Sequence, residues 1–172
     1  RGMSSAASDV YKRQEAELGV DGDLFSLSGT LRPGPTGRRI EGLMRAAGTN
    51  VLPYMGLVRG SGSEVAFSGT SQIVVRQEGV SFANIDLGLG AGRLTGEGVM
   101  EFGDENADEQ NNLTANLLLE ALDLDPFLPK FDPENGWSAA PISWQLFGAS
   151  DANLQLRLTN AALLGAPVQA LR

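Results

Sequence analysis

Few residues in this chain have the type and spacing to do chemistry. Asp104, Asn106 and Asp108 stand where a calcium loop places its first three oxygen ligands, but Glu109 and Ala115 occupy the sixth and twelfth places, which need Gly and Glu. Residues 101–134 hold ten acids and one base, Lys130, so that loop reads as a solvated connection rather than a metal site. Asp123 and Asp125 could act as paired carboxylates. The following Pro126 and the alternation before them fit a strand end and a turn cap better. Gly88, Gly90 and Gly92 recur every second residue, unlike a dinucleotide fingerprint, and neither GxxxxGK nor GxSxG occurs. The sequon Asn112-Leu113-Thr114 would matter only in a secreted eukaryotic protein.

Composition narrows the field further. The 172 residues contain no cysteine and no histidine, which removes disulfides, thiol nucleophiles, ordinary zinc sites and histidine-dependent triads. A net charge of −8 argues against nucleic acid as a partner, because phosphate neutralisation needs clustered Lys and Arg. Hydrophobic residues make up 42% and glycines number 22, a composition suited to a packed core with many turns or bends. No run reaches the ~18 apolar residues of a membrane span. The expectation is a non-enzymatic chain with no cofactor, no metal site and no catalytic residue.

What must position any functional surface is a set of strands. Between 64 and 76, Val65, Phe67, Ile73 and Val75 alternate with polar residues. The same rule gives Ala83, Ile85, Leu87 and Leu89 over 83–89, and Leu94, Met100 and Phe102 over 93–102. It gives Leu113, Ala115, Leu117, Leu119 and Ala121 over 113–121, then Leu154, Leu156 and Leu158 over 151–159. An earlier run sets Phe25, Leu27 and Leu31 against Ser26, Ser28, Thr30 and Arg32. Gln77-Glu78-Gly79 and Gly90-Ala91-Gly92 suit tight hairpins. Residues 64–121 therefore read as a four-stranded antiparallel meander with one apolar face, and 151–159 as a further strand.

Short helices are expected at 50–58, 125–129 and 142–147, with Trp137 and Trp144 plugging the end of the sheet. FSLSGTLR (25–32) and FSGTSQIV (67–74) share Ser-Gly-Thr at an offset of 40 residues, a weak internal repeat. Residues 1–14 resemble the translated leader of a sequencing adapter on a metagenomic fragment and are expected to be disordered. Residues 15–172 then form a single β-rich segment of a larger domain, cut at both ends.

The stretches GRLTGEGVM (92–100), LDLDPFL (122–128) and WSAAPISWQLFGASDANLQLRL (137–158) resemble the C-terminal periplasmic region of AsmA-family proteins of Gram-negative bacteria. Phe67-Ser68-Gly69-Thr70 and the strands after it are similar to the repeated hairpins of that family, and the resemblance spans about residues 24–172. It implies a curved, open, groove-like antiparallel sheet, in a protein held in the inner membrane by an N-terminal helix missing from this chain and projecting into the periplasm. The implied cargo is phospholipid moving toward the outer membrane, with outer-membrane assembly proteins as further partners. In that reading Ile73, Val75, Ile85, Leu87, Leu89, Leu94, Leu117, Leu119, Leu154, Leu156 and Leu158 line the lipid groove. A structural scaffold for outer-membrane protein assembly, with the same face as plain core, is the alternative. The family supplies no catalytic residue to carry over.

Overall fold

A computed structural model describes residues 12–34, 37–55, 64–103, 110–127, 131–132, 136–137 and 150–168. Eight strands form one open sheet: β1 (Lys12–Val20), β2 (Asp23–Gly34), β3 (Gly37–Gly48), β4 (Phe67–Arg76), β5 (Gly79–Leu89), β6 (Gly92–Glu101), β7 (Asn111–Glu120) and β10 (Ser150–Thr159), paired in that order. Two small hairpins lie outside it, β8 (Phe131–Asp132) with β9 (Gly136–Trp137), and β11 (Ala161–Leu163) with β12 (Ala166–Val168). The mainly β architecture expected from the alternation is observed, and the sheet is open rather than closed into a barrel.

The meander extends further toward the N-terminus than the alternation indicated. β3 and β1 both join it. Lys12, Arg13 and Gln14, the end of the segment expected to be disordered, pair with Leu31, Thr30 and Gly29, while residues 1–11 lie outside the described residues. The last strand also enters differently from its neighbours. β10 runs parallel to β7, with Leu156 beside Leu117 and Leu158 beside Leu119. A parallel neighbour requires a long return connection rather than a tight turn, and residues 121–149 provide it. Ala121 N and Leu124 N donate to Thr159 O and Ala162 O at 2.9 Å, so the start of that connection stays beside the end of β10.

One irregularity decides which side chains share a face. β5 carries an extra residue relative to both β4 and β6, between Phe82 and Ile85, and Asn84 there has a φ of +50°. The bulge resets the alternation. Val80 and Phe82 before it share a face with Ile85, Leu87 and Leu89 after it, and Ala83, expected with that set, lies on the opposite face beside Gln72. Ser71, 4% exposed, spends its hydroxyl within 3.1 Å of Ala83 O and Gln72 O. A buried polar group facing the bulge is thereby satisfied.

The helices expected over 50–58 and 125–129 are single 3-10 turns, Leu52–Met55 and Asp125–Phe127; residues 56–58, 128–129 and 142–147 lie outside the described residues. The base of the first turn is tied down on both sides. Val51 N donates to Val65 O at 2.9 Å, and Asn50 Oδ1 accepts from Leu52 N at 3.2 Å and from Val65 N at 3.3 Å. Asp23 holds the same turn to β2: its carboxylate accepts from Thr49 N at 2.9 Å and from the Tyr54 hydroxyl at 2.8 Å. The core therefore gathers at one end of the sheet, where Val51, Leu52, Val65, Phe67, Leu89, Leu119 and Leu122 are buried together. Trp144 lies outside the described residues, and the observed plug is this turn with Leu124 and Phe127.

Candidate functional site: one apolar face across eight strands

Directly paired residues in a sheet project to the same side, so the register assigns each face. One row crosses every strand of the sheet: Leu18, Phe25, Ala46, Gly69, Leu87, Leu94, Leu119 and Leu158. At about 4.8 Å per step, its seven steps span roughly 34 Å. The adjacent row carries Leu27, Met44 and Ser71, then Ile85, Gly96, Leu117 and Leu156 beyond the bulge. Next come Ile73 opposite Phe82, with Leu154 beside Ala115, and then Val75 opposite Val80 and Met100. Leu89 lies on the other side of the first row, opposite Phe67. All eleven residues named for the groove thus share one face, here called the inner face.

Exposure along this face is graded. Ile73, Leu89 and Leu119 are buried, whereas Leu154 is 44% exposed and Leu156 55%. Leu18, at the opposite edge of the same face, is 61% exposed. From Phe25 to Leu31, across β3 to β7 and on to Leu158, no inner-face position of the described strands carries a charge once past Arg38 at the far end of β3.

The outer face has the opposite character. Its central row reads Glu17, Ser26, Arg45, Thr70, Asp86, Thr95, Leu118 and Arg157. Asp86 and Arg93 form a two-pronged pair there, with both nitrogen–oxygen distances 2.7 Å. The hydrogen bonds from Arg93 hold the Asp86 carboxyl below the usual aspartate range, against an opposing effect of desolvation. The pair's contribution is therefore complete above the ordinary aspartate pKa of about 3.9 and fades as pH falls through the lowered value. Arg93 is shifted up by the same contact and stays charged throughout the usual pH range.

The carboxylates weighed for chemistry serve the backbone. Asp123 Oδ1 accepts from Asp125 N at 3.1 Å, and Asp125 Oδ1 accepts from Leu164 N at 2.6 Å. Asp104, Asn106, Asp108 and Glu109 lie outside the described residues. No group of three or more metal-ligating side chains occurs among the described residues, and none of their helices is long and apolar enough to cross a membrane.

Sequence reasoning missed part of the face. Phe82 and Val80 were hidden by the bulge. Ile40, Met44 and Ala46 were hidden because β3 alternates them with Gly42 and Gly48, which carry no apolar side chain. The even-numbered small and apolar residues against Arg39, Glu41 and Arg45 were the available signal. The inner face also contains a hollow of about 230 Å³ beside the Leu52–Met55 turn. Comparison with known proteins gives no match to a family model, to a curated protein or to a solved structure.

Proposed function

We propose that the chain is a segment of a lipid-carrying β-groove of the AsmA-like kind, whose inner face holds phospholipid acyl chains on their way from the inner to the outer membrane across the periplasm. The observation that carries this reading is the continuity of the apolar face across all eight strands, with exposure rising toward Leu154 and Leu156. A face of this size left open among the described residues is uncommon on a monomer in water and calls for an apolar cover. Acyl chains suit it: at ~0.8 kcal/mol per buried methylene, a sixteen-carbon chain gains on the order of 10 kcal/mol. The resemblance of 92–100, 122–128 and 137–158 to AsmA-family sequences supports the same reading.

A scaffold for outer-membrane protein assembly is the second reading, favoured by the plugged end. There Phe25, Tyr54 and Phe67 meet edge to face or tilted, with ring centroids 5.5–6.1 Å apart, as in an ordinary core. The two readings differ in what touches the open part of the face. A photo-crosslinking residue placed at inner Leu117 and at outer Asn116, in the membrane-anchored parent protein, is expected to give phospholipid adducts at Leu117 alone. Protein adducts at Leu117 with no lipid would favour the scaffold.

A further inference from the structure

The hollow of about 230 Å³ has a shape dictated by one register row. Across β2, β3, β4 and β5 that row reads Phe25, Ala46, Gly69, Leu87: large, small, none, large. Glycine is required at its floor, because a Cβ on Gly69 would stand 2.6 Å from Leu87 Cα, closer than side chains approach. The next row keeps the floor low at Ser71 while Ile85 raises the wall. The result is a slot over Ala46, Gly69 and Ser71, flanked by Met44 from β3, with the Phe25–Tyr54–Phe67 ring cluster beside it at the Leu52–Met55 turn.

Polar groups at the slot are already committed. Ser71 Oγ is engaged by Ala83 O and Gln72 O, and the Tyr54 hydroxyl donates to Asp23. Thr70 borders the slot from β4 but belongs to the outer row with Asp86. Both hydroxyl hydrogens are thus spent and the rest of the inner lining is apolar, so the slot offers an occupant no side-chain donor and suits hydrocarbon, with any polar head outside. An apolar cavity of about 150 Å³ holds benzene, six carbons, and by proportion this one holds about nine.

We propose that the slot seats the end of a single unbranched alkyl chain and accepts about nine carbons of it. This rests on the reading that the inner face takes lipid, and it adds a defined stop to that face at the plugged end.

The test titrates the whole chain with straight-chain carboxylates from hexanoate to tetradecanoate, below their micelle concentrations, by calorimetry. Affinity is expected to rise about fourfold per methylene up to nine or ten carbons and then level off. Ala46→Phe fills the slot and is expected to weaken decanoate binding at least tenfold while the circular-dichroism spectrum is kept. If that variant fails to fold, Ala46→Val, which adds two methyl groups, is expected to move the break to a shorter chain. Affinity climbing unbroken to tetradecanoate, or folded Ala46 variants that bind as the parent does, would overturn the seat and leave the groove standing. Equal binding of a fused-ring steroid and decanoate would overturn the single-chain occupant. No carboxylate binding, with phospholipid adducts still formed at Leu117, would show the slot filled by the protein itself and also overturn the seat. A break near nine carbons without any adduct at Leu117 would sustain the seat and remove the groove.

Discussion

Replacing Phe67 by alanine is expected to lower the unfolding free energy by about 3–5 kcal/mol, the range for truncating a buried aromatic. Phe67 is 5% exposed and stands where the sheet meets the turn after β3. Its ring contacts Phe25 and Tyr54, with centroids at 6.1 Å and 5.8 Å, and it pairs across the sheet with Leu89. Removing the ring would leave a cavity beside a turn that Asp23 and Asn50 hold in place, so the site cannot collapse easily. Urea unfolding followed by circular dichroism measures the effect as a lower midpoint at unchanged slope. A loss below about 1 kcal/mol would place the core elsewhere.

A larger effect is expected from deleting a single residue, Asn84. With the bulge gone, β5 must alternate without interruption from Val80 to Leu89. Either Val80 and Phe82 or Ile85, Leu87 and Leu89 then turn to the outer face, since a one-residue slip moves every side chain beyond it to the other side. At about 1.5–3 kcal/mol per large apolar side chain, two or three of them amount to roughly 3–9 kcal/mol, comparable with the whole stability of a typical domain. The deletion is expected to abolish cooperative urea unfolding. Asn84→Gly keeps the residue count and accepts the φ of +50° without a Cβ, so it is expected to unfold within about 1 kcal/mol of the parent. A deletion variant as stable as the parent would show that β5 has no fixed bulge.

These two residues also mark the limits of what the sequence discloses. Where alternation was plain, as in Leu113–Ala115–Leu117–Leu119 and Leu154–Leu156–Leu158, the face assignment made from the residues agrees with the register. It failed at Ala83 because a period-two count carried from Ala83 to Ile85 runs across the bulge at Asn84 as though no residue were inserted. β3 escaped notice because its inner positions include Gly42, pressed against the backbone of Ser28 and Gly29, and Gly48, pressed against the side chains of Asp23 and Phe67, where closeness matters more than hydrophobicity. The Ser-Gly-Thr repeat gained a physical meaning. Gly29 and Gly69 both sit on the inner face, and a Cβ on either would strike the strand paired after it, at Glu41 O for Gly29 and at Leu87 Cα for Gly69. The plug expected from Trp137 and Trp144 falls on side chains outside the described ones, and sequence distance gave no hint that Asn50 would fasten Leu52 and Val65 together into a second one. Nothing in the alternation could show the parallel entry of β10, which depends on how the connection between 121 and 149 returns.

The central claim is that one face of this sheet, and not the other, meets acyl chains. Leucine methyl groups report both faces at once: Leu117, Leu154 and Leu156 on the inner one, Leu24, Leu43 and Leu118 on the outer. The most direct measurement is methyl NMR on leucine-labelled protein with a phospholipid carrying a nitroxide along its acyl chain. The account predicts broadening of the Leu117, Leu154 and Leu156 methyls, with those of Leu24, Leu43 and Leu118 left sharp. Equal broadening on both faces, or none on the inner one, would contradict it.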